Sequence, residues 1–191
     1  YLRGDKTTES TLFRICDNTL GDTVNATPAY VAKPPYQFGD AVTPTYVDFQ
    51  TVSRTPALYV GANDGMLHAL NGTSGAEMWA YVPTMVMPKM HVLADENYAI
   101  KHTYFVDLEP RIFDAQIFTE EAACRTTDGA GNDIPAFDAA GCDHPNGWGT
   151  ILVGGMRFGG TPFKAEELDD EAEDAVADTR EFSSSYFILD I

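Results

Sequence analysis

Four histidines, three cysteines and a surplus of carboxylates are the groups in this chain that could do chemistry. His68 stands in the alternating apolar run MLHALNG and is the most obvious single candidate for a general base. No Asp or Ser stands at a spacing that announces a triad, so the residues favour a buried neutral imidazole donating to a backbone carbonyl. His91, His102 and His144 are scattered among polar segments, with no H-E-x-x-H unit and no close metal-ligand spacing. Nothing in this pattern anchors catalysis. Neither an enzyme activity nor a bound cofactor is expected from it.

Cys124 and Cys142 flank a Gly/Asp-rich loop. They could close it as a disulfide in an oxidising compartment, removing loop entropy from the unfolded chain, or remain two separate thiols. Cys16 is left over, and no C-x-x-C unit supports a zinc-ribbon or thioredoxin-like reading. Inside the loop, DGAGND makes Asp128, Asn132 and Asp133 weak candidates for calcium ligands, with a solvated loop as the alternative. Ile134 occupies a position that needs an oxygen, and Asp138 and Asp143 do not restore the spacing of a calcium loop.

The 191 residues include 29 Asp or Glu against 12 Lys or Arg, a formal charge of -17. That balance disfavours an electrostatic nucleic-acid binder and leaves basic protein patches and divalent cations as company. The sharpest composition shift is KAEELDDEAEDAVADTREF, residues 164–182. Leu168, Ala172, Ala175 and Val176 form a narrow apolar stripe at helical spacing, so a short surface helix inserted between two strands is expected. Its carboxylates, Glu166, Glu167, Asp169, Asp170, Glu171, Glu173 and Asp174, make either a solvated negative face or a recognition insertion for a basic partner.

These groups must be positioned by strands and turns. The hydrophobic share of 44% is enough for one sizeable core at this length. No run approaches the roughly 20 apolar residues of a membrane helix. The opening residues YLRGDKTTES lack a signal peptide's apolar stretch, which places any export signal outside this chain. Residues 28–32 read as a short strand entered through Pro28, and residues 57–83 as a three-stranded meander with turns at Asn63, Asp64 and Gly65 and again at Gly72. Gly61 allows close approach of a neighbour, Gly65 and Gly72 accept turn conformations, and Asn63 or Asp64 satisfies turn amides. Trp79 is a wedge between adjacent sheets with its indole N–H on a backbone acceptor. Met66, His68 and Leu70 share one face of the middle strand and Leu67 and Ala69 the other, so the sheet is expected to be covered on both sides. After a mixed stretch over 88–102 with a short helix as its one candidate element, strand signals resume over 102–118, divided by Pro110. They return in GWGTILVGGMRFGG, which contains Gly154 and Gly155, and in the final SYFILDI.

ALYVGANDG is echoed by TILVGGMRFGG and MLHALNG by YFILDI, and each pair follows a proline-introduced strand, PAYV or PRIFDAQIF. The echo points to an all-β radial sheet array, a β-propeller, with roughly two adjacent blades in the chain. The expected division is a lead-in over 1–19 and a partial propeller over 20–191. Within it, a first blade spans about 28–83, a second about 104–191, and insertions about 119–146 and 161–184. The second unit lacks its last strand, so its edge needs a neighbour from a longer polypeptide or another chain.

Taken in order, LGDTVNATPAYV, LYVGANDGMLHALNGTSGAEMWAYVP, YFVD, GWGTILVGGMRFGG and SYFILDI resemble the C-terminal propeller of the PilY1/PilC family of type IV pilus assembly and tip-adhesin proteins. The blocks cover most of the chain from Leu20 onward. GANDGMLHALNGTSGAEMWAY also resembles the repeat of quinoprotein-type propellers, without requiring their cofactor. The resemblance implies a secreted protein of the outer cell surface or pilus tip that primes pilus assembly, promotes extension against retraction and acts as an adhesin. Its implied partners are minor pilins and the type IV pilus fibre, with host or environmental surfaces as further targets and no nucleic acid. Many members carry a calcium loop later in the propeller. No matching loop stands here, so calcium is implied only for the full-length protein. The rival readings are a quinone-cofactor-dependent dehydrogenase, whose base and metal set the chain does not display, and an outer-membrane assembly scaffold of similar repeats. Residues 119–146 and 161–184 depart from the family pattern and are the expected recognition surfaces.

Overall fold

Alternating apolar side chains punctuated by Asn-Asp-Gly and Asn-Gly turns fold here into short antiparallel ladders. The computed structural model describes residues 2, 5–7, 9–11, 13–39, 46–167 and 178–191. In chain order the strands are β1 (Ala29–Val31), β2 (Ala57–Gly61), β3 (Leu67–Asn71), β4 (Glu77–Tyr81), β5 (Arg111–Gln116), β6 (Arg125–Thr127), β7 (Asp133–Pro135), β8 (Trp148–Gly155), β9 (Phe163–Glu167), β10 (Asp178–Phe182) and β11 (Tyr186–Asp190). The first sheet has the order β1-β2-β3-β4 and the second β11-β8-β5, while β9-β10 and β6-β7 are separate hairpins. Gly61 pairs with Leu67 across the first tight turn, and Gly155 pairs with Tyr186 at the matching corner of the second sheet. The strands of the sequence echo therefore occupy like places: β1 with β5, β2 with β8, and β3 with β11. The chain is all-β in content, and the sheets are open, with no closed ring among the described residues.

The two main sheets meet face to face. Ala57, Tyr59, Leu67 and Ala69 of the first pack with Leu152 and Val106, joined by Trp79, Tyr81, Ile112, Phe187 and Leu189. The Tyr81 and Phe187 rings stand 5.2 Å apart across this seam. Burying alternate side chains of both sheets is what makes short ladders stable in water, at about 25 cal/mol per Å² of apolar surface. A second cluster, built from Val86, Met90, Leu93, Tyr98, Phe105 and Met156, lies under the 3-10 helix Thr84–Ala94. A third joins Tyr46 and Phe49, in the one-turn helix Tyr46–Phe49, to Trp148.

Several expectations change. Of the two strand runs proposed within 102–118, only β5 is a strand; residues 105–107 are buried, but the amides of Phe105 and Val106 go to Asn63 and Ala62 at the β2–β3 turn and not to a ladder. Where a helix was expected over 164–182, the described residues at both ends form antiparallel strands instead, with Phe163 opposite Phe182 and Glu167 opposite Asp178. Leu168, Asp169, Asp170, Glu171, Ala172, Glu173, Asp174, Ala175 and Val176 lie outside the described residues. Gly72 is not a positive-φ turn residue. Its place is a close approach, because a Cβ there would stand 2.9 Å from the Tyr30 ring, and Gly75 takes the left-handed conformation at φ +74°. Gly65 does adopt one, at φ +93°.

Candidate functional site

The most heavily wired part of the molecule is the seam where the ends of β2 and β8 lean on residues 105–107. A Cβ on Gly61 would stand 2.3 Å from the Val106 carbonyl oxygen, and one on Gly159 would collide with the Phe105 carbonyl. Asp107 is fully buried and accepts the amides of Arg157 at 2.7 Å, Phe158 at 2.9 Å and Gly159 at 3.1 Å, which clamps the turn after β8. Lys89, also buried, donates to the carbonyls of Tyr104 and Gly159, and its ammonium lies 4.8 Å from the Phe105 ring centre. Burial lowers the lysine's pKa, partly offset by the charge of Asp107. A buried carboxylate is tolerable here because three amides satisfy it and the charge of Lys89 acts on it through space.

The turn after β2 is held by a different set. Of the two residues expected as alternatives for serving turn amides, Asn63 reaches outward, donating to Asp22 at 2.8 Å and accepting the Phe105 amide at 3.0 Å. Asp64 does both: it accepts the Met66 amide within the turn and the Gly21 amide at 2.8 Å from the preceding segment. His68 was expected to donate to a backbone carbonyl. Instead its two ring nitrogens face carboxylates, Nδ1 at 2.6 Å from Glu77 and Nε2 at 2.9 Å from Asp64. Burial alone would lower its pKa, but the hydrogen bonds and charges of Asp64 and Glu77 outweigh that and raise it. Asp22 closes the set by pairing with His102 at 3.1 Å. Burial would raise the Asp22 carboxyl, and the hydrogen bonds from Asn63 and His102 lower it.

A third wired region is the excursion between β5 and β8. Cys124 and Cys142 form a disulfide with Cα atoms 4.7 Å apart, and Cys16 lies outside it. Glu121 accepts the amides of Asp143 and His144, while Glu120 pairs with Arg125 and accepts the Asn146 amide at 2.7 Å. The far end carries the hairpin β6-β7, whose strands are largely exposed. Between them Asp128 accepts the amides of Ala130 and Asn132 and the Asn132 side chain, so its oxygens serve the turn. Asp133 lies 3.9 Å from Arg125. Among the described residues no group of three His, Cys, Asp or Glu stands close enough to hold a metal ion.

Between the sheets a cavity of about 480 Å³ is lined by Phe49, Arg54, Tyr59, Trp79, His144 and Asp190, among others. Trp79 is half-buried there with its ring 5.7 Å from that of Tyr59. Arg54 donates to Thr150, whose hydroxyl donates to Asp114, which also accepts the Tyr46 hydroxyl. Burial and the Asp114 carboxylate raise the Tyr46 pKa. Gly154 and Gly155 leave room for Phe187 and for the Ser185 carbonyl. Of the acidic recognition candidates, only Glu166 and Glu167 fall on a described element, β9. The sequence reading missed Asp22, Lys89, Asp107 and Glu121. The one available signal was that LGD and YFVD each precede a proline-introduced strand.

A family model described as PilY1 beta-propeller domain matches residues 20–180. A type IV pilus biogenesis factor PilY1 homolog of Xylella fastidiosa is 37% identical over 179 residues, covering 89% of this chain and 12% of the relative. The type IV pilus biogenesis factor PilY1 of Pseudomonas aeruginosa strain PAK is 33% identical over 180 residues, covering 90% of this chain and 13% of its own length. The chain thus spans about an eighth of these curated relatives. No solved structure matches it. No helix among the described residues is long and apolar enough to cross a membrane. With a match over most of its length and relatives above 30% identity, the chain belongs to the PilY1 β-propeller domain family.

Proposed function

We propose that this chain is a stretch of about two blades from the propeller of a type IV pilus biogenesis factor. It acts by presenting surfaces to minor pilins and the pilus fibre, at the outer cell surface or pilus tip, and not by turning over a substrate. The observation that carries this reading is the family match over residues 20–180, joined to relatives named for pilus biogenesis. The two face-packed sheets and the sequence echo support neighbouring blades, with residues 28–83 and 104–191 as their extents. Pilus assembly or extension, and attachment to host or environmental surfaces, are the activities such a scaffold serves. Residues 119–146 and 161–184 are the recognition insertions, because the strand pairs they contain, β6-β7 and β9-β10, join neither main sheet. Calcium, where used, belongs to another part of the full-length protein.

The test is twofold. Purified minor pilins are titrated against the full-length protein, and surface pili are counted in cells with and without it. Saturable binding together with loss of piliation is the expected result. Unaffected piliation and no binding would overturn the assembly role, and robust quinone-dependent alcohol oxidation would favour the dehydrogenase reading.

A further inference from the structure

The His144 ring has a seat specified on every side. Its plane stacks on Phe118, with centroids 4.1 Å apart and 13° between planes. On β8 the neighbouring residue is Gly149, where a Cβ would stand 2.5 Å from Phe118 and 2.8 Å from His144, so the strand leaves a gap that the two rings fill. Nδ1 lies 2.5 Å from a Glu121 oxygen at the base of the excursion, and Nε2 lies 2.8 Å from an Asp190 oxygen on β11. The side chain is 14% exposed, against 31% for Glu121 and 49% for Asp190.

A neutral imidazole has one N–H and one lone pair, so it can donate to only one of these carboxylates and would turn its lone pair on the other. Both contacts are satisfied together only when both nitrogens carry protons. We propose that His144, as an imidazolium bridging Glu121 and Asp190, is the pin that holds the disulfide-closed finger of residues 119–146 in one pose against the second sheet. Arg125 pairs with Glu120, and the Asp143 amide, beside the ring, donates to Glu121. Arg54, Asp143, Thr150 and Asp190 line the same cavity as His144, with Arg54 donating to Thr150. On β8 the residue against the ring is Gly149.

The direction of the pH response follows. Burial lowers the His144 pKa, but the hydrogen bonds and charges of Glu121 and Asp190 raise it above 6.5 overall. The link is complete below about pH 6.5 and is lost as pH rises through the raised value. At the acid end, burial would raise Glu121, but its hydrogen bonds to His144 lower it, so its share is lost only as pH falls through that lowered value. On the alkaline side the exposed Asp190 contact opens first. The disulfide and the Glu120 and Glu121 amide bonds still keep the finger closed on itself. The device regulates the pose of a surface read above as a recognition insertion, and its functional weight rests on that reading.

The test reads the pose without any partner, so its failure and that of the pilus reading are separable. His144 is titrated by NMR of its imidazole, and residual dipolar couplings of β6 and β7 amides are compared with those of β8 and β11 across the same pH range. Expected are a His144 midpoint above 6.5 and one common alignment below it, with the finger aligning separately above it. The Asp190→Asn variant replaces a carboxylate with an amide that can donate to neutral Nε2. It should lower the His144 midpoint and keep the common alignment at alkaline pH. His144→Phe should lose the common alignment at every pH with the disulfide intact. An alignment that ignores pH in the unaltered protein, a His144 midpoint at or below 6.5, or an unchanged midpoint in Asp190→Asn would overturn the proposal.

Discussion

The two main sheets solve the same corner in different ways. In the first, β2 and β3 are joined by a tight turn, and the groups that hold it from outside are distributed: Asp22, Asn63 and Asp64 each take part of the load. In the second, the chain leaves β8 for the β9-β10 hairpin before returning as β11, and a single buried carboxylate, Asp107, takes three amides at the start of that departure. A tight turn satisfies most of its amides locally, so its external anchors can be modest and partly exposed. A turn that opens into an insertion has no returning strand close in sequence to fix its backbone. A fully buried anchor does that work, and the insertion can then vary without unpicking the sheet.

This contrast breaks hardest at Asp107. Asp107→Ala strands three amides, that of Gly159 buried, and should destabilise the fold by about 3 kcal/mol, whereas Asp22→Ala, at a half-exposed carboxylate, should cost about 1 kcal/mol. Denaturant midpoints of the two variants decide it, and equal losses would erase the distinction between the corners. Next come the glycines that bring both sheets onto residues 105–107. Gly61→Ala and Gly159→Ala each set a methyl against backbone and should cost about 1–3 kcal/mol in thermal unfolding. A loss at only one of them would show that the sheets do not share this support.

Protonation sharpens the comparison on the first sheet. Because the His68 pKa lies above 6.5 when folded, its bridge contributes fully below about pH 6.5 and fades as pH rises through the raised value. Unfolding measured at stepped pH should show that slope in the unaltered protein and a flatter one in His68→Phe. The smallest effect is expected at Glu77→Gln. That carboxylate is 53% exposed, so the change should cost less than about 1 kcal/mol while lowering the His68 midpoint seen by NMR.

Much of the strand framework was legible. Apolar alternation around Asn63, Asp64 and Gly65 marks a hairpin because it is a local property, and the echo between residues 57–71 and 151–190 matches strands that occupy like places in the two sheets. The hairpin β6-β7 was not legible. Arg-Thr-Thr and Asp-Ile-Pro have no alternation to betray them, and the disulfide and Asp128 turn hold them together. His68 shows the limit most clearly. Asp64 was visible four residues away, but its meaning depends on the tight turn that swings it back. Glu77 arrives through a register irregularity between Ala69 and Leu70.

Composition and periodicity alone settled that this acidic chain builds short antiparallel strands with tight turns, because side-chain alternation and turn chemistry act over a few residues. Tertiary structure alone decided which carboxylates matter. Asp22, Asp107, Glu121 and Asp190 look like any of the 29 acidic residues until the fold brings each to amides or a histidine 22 to 80 residues away. The need to satisfy buried polar groups is a demand of the packed interior, and no local pattern announces which surplus charge will meet it.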